Sequence, residues 1–63
     1  MKREWLIAFR KAKNLTQGEL AEAIGISQMS LSSYEQGIRN PKPQLAKKIA
    51  KVLGFDWTKF YED

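Results

Sequence analysis

The amino-acid sequence predicts one all-α domain, covering residues 1–63, in which five short helices form a compact core. Several segments carry apolar residues three and four positions apart, the spacing of one helix face. Gly25, Gly37 and Gly54 follow three of these segments, where a glycine can adopt the left-handed backbone that ends a helix. The chain contains no linker, repeat or low-complexity tract, so nothing in it indicates a second domain.

The first predicted helix runs from Lys2 to Lys13. Its apolar residues follow helical spacing, and they are Trp5, Leu6, Phe9 and Ala12. Asn14 is expected to end this helix, because asparagine is second to glycine in tolerating left-handed backbone. A basic amphipathic helix could instead lie on a membrane surface. We favour core packing, because a domain of this size needs the apolar face to close its core.

The segment Thr16–Gln36 is predicted to form two helices, at about 17–24 and 28–36, joined by a tight turn. Thr16 and Glu19 have the spacing of a capping box, which would start the first of these helices. Gly25 would end it, and Ser27 would cap the second. The outward face of the second helix is short, uncharged and able to form hydrogen bonds, with Gln28, Met29, Ser32 and Ser33. This pattern is typical of a DNA-binding helix-turn-helix.

The remainder of the chain is predicted to form a loop and two further helices. Pro41 and Pro43 stiffen the loop after Gly37, and Pro43 suits the first turn of a fourth helix. The inner stripe of that helix is Leu45, Ala46, Ile49, Val52 and Leu53. Its outer face, which we interpret as an ordinary solvated surface, carries Lys47, Lys48 and Lys51. Asp56 would cap a fifth helix, from Trp57 to about Tyr61.

Composition limits the chemistry that the chain can perform. It has no cysteine and no histidine, so a disulfide is excluded and a metal site is not expected. We expect no enzymatic activity, cofactor or small-molecule ligand, since no clustered carboxylate pair is placed for acid–base work. No apolar run approaches the length of a membrane span, and no signal-peptide block is present. These features fit a cytoplasmic protein.

The charge of the chain is uneven. Its net charge is +4, and residues 1–51 hold ten basic residues against four acidic ones. Residues 52–63 hold Lys59 against Asp56, Glu62 and Asp63. Basic small proteins are common, but a polyanion-binding face with an acidic segment directed away from it is also consistent with this distribution. Charge alone does not decide between these interpretations.

A longer series of residues resembles a known family. The series is Phe9-Arg10, Leu15-Thr16-Gln17, Leu20-Ala21, Ile24-Gly25-Ile26-Ser27, Tyr34-Glu35-Gln36-Gly37, Pro41, Ile49-Ala50 and Leu53-Gly54. From about Leu6 to Phe60, the chain is similar to the helix-turn-helix domain of phage Cro and repressor proteins and of the related xenobiotic-response-element-type bacterial regulators. The resemblance implies a lambda-repressor-like fold. The chain departs from the family pattern at Asn14, Pro43 and Met29.

The resemblance also implies a double-stranded DNA operator as partner, with helix 28–36 in the major groove. Gln28 would read a base, because its amide offers adenine a donor and an acceptor together, a pairing worth ~1–3 kcal/mol of discrimination. Met29, Ser32 and Ser33 are further base-contact candidates, although Met29 could simply be exposed and the serines could be small to let the helix approach. The implied phosphate contacts are Gln17, Ser27, Tyr34, Arg39, Asn40 and Lys42.

Two further expectations concern the support of this helix. Arg10 and Glu35 lie on faces turned toward the core, where a lone charge is costly, and members of the family often pair residues at these positions. We therefore expect an Arg10–Glu35 ion pair. The aromatic residues near the end of the chain are expected to be core or dimer contacts, and the expected dimer interface is Phe55, Trp57, Phe60 and Tyr61.

The sequence thus predicts a bacterial or phage-encoded transcription regulator, repressor or Cro-like, acting without a cofactor. The family implies a homodimer on half-sites about one DNA turn apart, ~34 Å. A protein-interaction module of the same fold, such as an antitoxin or anti-repressor, is the alternative.

Overall fold

The computed structural model describes residues 2–62 and confirms the all-α class. Its four α-helices are α1 (Glu4–Ala12), α2 (Gln17–Ile24), α3 (Gln28–Gln36) and α4 (Pro43–Leu53). The fifth element, Trp57–Tyr61, is a 3₁₀ helix. Asp63, which the sequence assigns to the acidic segment, lies outside the described residues. Within residues 2–62, none of the helices has the length and apolar character needed to cross a membrane.

Local side chains cap the starts of α2, α3 and the 3₁₀ helix, as the sequence predicts. The N–H of Glu19 donates to Thr16 Oγ1 at 3.1 Å and the N–H of Thr16 donates to Glu19 Oε1 at 2.9 Å, which completes the capping box of α2. Gly25 ends α2 with a φ of +79°, and Asn14 follows α1 with a φ of +58°. These stops give short connections, and α3 packs against α2 just as the 3₁₀ helix packs against α4.

The core lies where α2 meets α3 and α4, with α1 packed against α3 and the 3₁₀ helix packed against α4. Its buried members are Leu6, Leu20, Ala21, Ile24, Leu31, Ala46, Ile49, Leu53 and Phe60. Partly buried residues that pack around them are Trp5, Phe9, Leu15, Ile26, Leu45, Phe55 and Trp57. One face of α3 does not pack against this core, and that face carries the candidate site.

Three apolar positions differ from the sequence prediction. Val52 is 37% exposed, whereas Ala50 is buried in α4. The buried residues of α4 are Ala46, Ile49, Ala50 and Leu53, so its inner face includes Ala50 and not Val52. Ala12, at the last turn of α1, is also exposed.

The aromatic residues near the end of the chain mostly serve the core. Phe60 is only 3% exposed and packs edge-on against Trp5, with ring centroids 5.2 Å apart. The half-buried Phe55 lies between Trp5 and Phe60, at 5.2 and 5.6 Å. The sequence predicts a dimer interface of four residues. That prediction is wrong for Phe60, because its buried ring has no surface to offer a partner. Trp57 and Tyr61 keep exposed area, 42% for Tyr61.

Asp56 caps the 3₁₀ helix. The N–H of Thr58 donates to Asp56 Oδ1 at 3.0 Å, and the Thr58 hydroxyl donates to the same oxygen at 2.7 Å. The backbone hydrogen bond first, and then the hydroxyl, hold the pKa of the Asp56 carboxyl below its ordinary value. The cap is therefore fully formed above the ordinary aspartate pKa and is lost only as the pH falls through the lowered one.

Candidate nucleic-acid interface

The outward face of α3 is uncharged and open. Gln28 is exposed and Met29 is 80% exposed, while Ser32 and Ser33 are half-buried. The first turn of α3 carries no acidic residue. Nothing on this face would repel a polyanion, and its short side chains would let the helix backbone come close to a partner.

An ion pair fixes α3 to α1. Arg10 Nε donates to Glu35 Oε2 at 2.7 Å, and Glu35 is only 1% exposed. Arg10 Nη1 also donates to the carbonyl oxygen of Leu15, at 2.8 Å. The pair expected between Arg10 and Glu35 is thus present, and each charge has the partners that burial requires.

The same carboxylate orients two glutamines. Gln17 Nε2 donates to Glu35 Oε1 at 2.8 Å, and Gln28 Nε2 lies 3.5 Å from Gln17 Oε1. A carboxylate can only accept, so the Gln17 amide must turn its nitrogen to Glu35 and its oxygen to Gln28. Gln28 consequently turns its nitrogen toward Gln17. Its Oε1 lies near Gly18, 3.5 Å from where a Cβ of that residue would be, and Gln28 is exposed at the first turn of α3.

The loop after α3 supplies positive charge beside this face. Arg39, Asn40 and Lys42 are exposed. The guanidinium of Arg39 lies 5.1 Å from the centroid of the Tyr34 ring, and Arg39 Nη2 donates to the Tyr34 hydroxyl at 3.0 Å. Tyr34 itself is 7% exposed, so its ring acts mainly as a platform for Arg39.

This loop, the turn after α2 and the start of α4 line an open groove of about 760 Å³. Its lining includes three cations, Arg39, Lys42 and Lys48, and no carboxylate. Ile24, Ile26 and Leu45 form its apolar part, each largely held by the core. The groove is therefore a positively charged concave surface, and the one residue of α3 that lines it is Tyr34.

The structure brings some of the expected phosphate-contacting residues together and gives others a different role. The side chain of Gln17 accepts a hydrogen bond from Gln28, and the Tyr34 hydroxyl accepts one from Arg39. Ser27 is occupied within α3, because its Oγ accepts the N–H of Ser30 at 3.1 Å and its hydroxyl donates to Ser30 Oγ at 3.0 Å. Ser27 therefore acts first as a helix cap.

Comparison with known proteins agrees with this geometry. The sequence profile described as "Helix-turn-helix" matches residues 6–60. The chain belongs to the helix-turn-helix family. This membership confirms the resemblance that the sequence indicates.

Several helix-turn-helix proteins are similar to this chain. It is 44% identical over 63 residues to an uncharacterized HTH-type transcriptional regulator, YqaF, of Bacillus subtilis, covering 100% of this chain and 83% of that protein. It is 41% identical over 46 residues to the uncharacterized regulator MJ0272 of Methanocaldococcus jannaschii, covering 73% and 70%. It is 36% identical over 45 residues to the cryptic phage CTXphi transcriptional repressor RstR of Vibrio cholerae, covering 71% and 40%. No solved structure matches the chain significantly.

Arg3 is the residue of this helix-turn-helix protein that sequence reasoning missed. It precedes α1, yet it is only 7% exposed, and its backbone N–H donates to the carbonyl oxygen of Glu35 at 2.8 Å. Its guanidinium lies 5.4 Å from the centroid of the Phe60 ring. One signal was available: the last turn of α3 has no basic residue, although a cation is favoured at the C-terminal end of a helix. That signal indicates that a cation lies near the end of α3, but it does not identify which residue supplies it.

Proposed function

We propose that this protein is a transcription regulator that binds a specific double-stranded DNA sequence, with α3 in the major groove. The observation that carries the proposal is the uncharged, open outward face of α3, where Gln28 is exposed and its Nε2 lies 3.5 Å from Gln17 Oε1. The helix-turn-helix membership of the chain and the relatives named as transcriptional regulators support it.

Gln28 is the main base-reading residue in this proposal. Its free acceptor and donor match the N6 amino group and N7 of adenine, and such a pair discriminates by ~1–3 kcal/mol. Met29 offers an apolar surface of the kind that contacts a thymine methyl group. Ser32 and Ser33 contact the neighbouring bases directly or through water.

The phosphate contacts come mainly from the loop after α3. Arg39 and Lys42 neutralise phosphates, and Asn40 donates to one. Gln17 lies at the first turn of α2, where backbone N–H groups suit an anionic oxygen. Ser27 and Tyr34 are the weaker candidates, because both hydroxyls already have partners within the chain.

The protein acts in the bacterial cytoplasm, where its DNA is, as a repressor or Cro-like regulator without a cofactor. The name of the similar phage repressor from Vibrio cholerae favours the repressor role. A single α3 spans only a few base pairs, so tight binding requires a homodimer on half-sites about one DNA turn apart, ~34 Å. The exposed Tyr61 and the half-buried Trp57 are the aromatic residues available to that dimer.

The proposal is tested by selecting binding sites for the purified chain from random double-stranded DNA. We expect an enriched sequence with two-fold symmetry, whose half-sites contain an adenine that Gln28→Ala no longer selects. Enrichment of no sequence would overturn the proposal and favour the protein-interaction alternative.

Two variants separate reading from phosphate binding once a site is known. Gln28→Ala should flatten the preference among site variants, whereas Lys42→Ala should weaken binding to all of them alike. The logarithm of the affinity should fall with the logarithm of the salt concentration by ~0.9 per phosphate neutralised, and Lys42→Ala should reduce that slope by about 1. If both variants changed the preference among DNA sites equally, the roles of Gln28 in base reading and Lys42 in phosphate binding would be contradicted.

A further inference from the structure

We propose that Arg3 is a positioning residue for DNA binding: it holds the loop 37–42 in the conformation that presents Arg39 and Asn40 to the DNA backbone. The DNA part of this inference rests on the proposed function, and the ordering of the loop does not. The proposal goes beyond the helix-turn-helix itself, because Arg3 lies before α1 and outside the matched residues 6–60.

The guanidinium of Arg3 joins three acceptors. Its Nη1 donates to the carbonyl oxygen of Tyr34 and, at 3.1 Å, to that of Arg39, and its Nη2 donates to Asn40 Oδ1. Tyr34 is at the end of α3, whereas Arg39 and Asn40 belong to the loop. One planar guanidinium therefore ties the loop to the helix that precedes it, as only a fork of several donors can do.

These hydrogen bonds also orient the side chains of the loop. Because Arg3 occupies Asn40 Oδ1, the amide of Asn40 is left with its Nδ2 group for other partners, and Nδ2 donates. Phosphate oxygens only accept, so this is the orientation that a phosphate needs. Arg39 is fixed at both ends, by Arg3 at its carbonyl oxygen and by Tyr34 at its guanidinium.

Arg3 itself is poorly placed to contact DNA. Its side chain packs over the Phe60 ring and donates inward, and the residue is 7% exposed. Its contribution to binding is therefore made through Arg39 and Asn40. Ordering two such side chains before binding removes an entropic cost that a mobile loop would meet at the moment of association. The hydroxyl of Tyr61, which donates to the carbonyl oxygen of Pro41, adds a second tie to the same loop.

The test compares Arg3→Met and Arg3→Lys with a matched charge-removal control, Lys51→Met, on the exposed face of α4. Each protein is titrated with selected operator DNA over a range of salt concentrations. We expect Arg3→Met to weaken binding roughly tenfold for every site variant, with a shallower salt slope and an unchanged base preference. Lys51→Met should change the affinity less than about twofold, since Lys51 is a solvated residue distant from the loop.

Arg3→Lys is the conservative rescue. It keeps the charge, but one ammonium group cannot replace a fork that joins three acceptors, so its affinity should fall between those of the wild type and Arg3→Met. If Arg3→Met does not fold, Arg3→Lys still tests the proposal. Wild-type affinity, salt slope and loop exchange in Arg3→Lys would overturn the positioning role.

A second measurement works without DNA. Amide hydrogen exchange of the free protein should be faster at Ile38 and Arg39 in both Arg3 variants, while α2 is unchanged; in the wild type both N–H groups donate to the carbonyl oxygen of Ser33. If the wild type binds no DNA and the variants still loosen the loop, the proposed function fails and the ordering role of Arg3 stands. If the loop is unchanged in the variants, the positioning role fails whatever the DNA result.

Discussion

At the scale of single residues, Glu35 connects three helices of the candidate interface. It is buried in α3, accepts hydrogen bonds from Arg10 of α1 and Gln17 of α2, and thereby also sets the orientation of Gln28. A buried carboxylate is tolerated here because every donor aimed at it is in place. The same arrangement makes the position sensitive to loss of the charge.

Glu35→Gln should therefore lower the free energy of unfolding by about 3 kcal/mol, the low end of the range for breaking a buried ion pair, since Arg10 keeps some exposure. The new amide would also place a donor against Arg10 or Gln17. Urea unfolding at pH 7 followed by circular dichroism measures the effect. Glu22→Gln, at an exposed position of α2, is the matched control. A loss no larger than that of the control would show that Glu35 is not a structural centre.

At the scale of secondary-structure elements, the turn between α2 and α3 depends on the backbone of Gly25. Its φ is +79°, and a Cβ at this position would have no neighbouring atom within 4 Å. The obstacle to a side chain is therefore conformational and not a clash.

We expect Gly25→Ala to lower the free energy of unfolding by about 1–2 kcal/mol, the cost of left-handed backbone for an ordinary residue. Gly25→Asn should lose clearly less, because asparagine tolerates this region, as Asn14 does in this chain. Thermal unfolding of the two variants in the same buffer gives the comparison. Equal stability of the alanine and asparagine variants would mean that the turn relaxes to another conformation.

The elements also show what a sequence can and cannot predict here. Capping boxes and left-handed stops act between residues a few positions apart, so helices α2 and α3 begin and end where their residues indicate. The exposure of Val52 depends on which helices cover α4, and the sequence does not contain that information locally. The contacts of Arg3 with Arg39 and Asn40 join residues 36 and 37 positions apart, and no spacing rule predicts them.

At the scale of the whole molecule, stability rests on a small core in which Phe60 is a central contact. A domain of 63 residues is expected to have a free energy of unfolding of only about 3–9 kcal/mol. Removing one large buried ring typically costs about 3–5 kcal/mol. A single substitution can therefore remove most of the free energy of unfolding.

Phe60→Ala should leave the protein largely unfolded or marginally stable at 37 °C, whereas Val52→Ala should cost less than about 1 kcal/mol, because Val52 is partly exposed. Urea unfolding at two protein concentrations measures both variants. If Phe60 is a core residue, its loss relative to the wild type is the same at both concentrations. A larger loss at the higher protein concentration, where a dimer would be populated, would instead place Phe60 in a dimer interface.

The short connections between helices have a kinetic consequence. Adjacent elements are separated by three to six residues, and chains dominated by such local contacts fold in roughly microseconds to milliseconds. The Arg3 contacts are different, because they close the chain between its first residues and the loop after α3. The entropic cost of closing a loop of that length is offset only after α1 and α3 have packed. The reading helix should therefore form early during folding, and the loop beside it should be the last part of the site to become ordered.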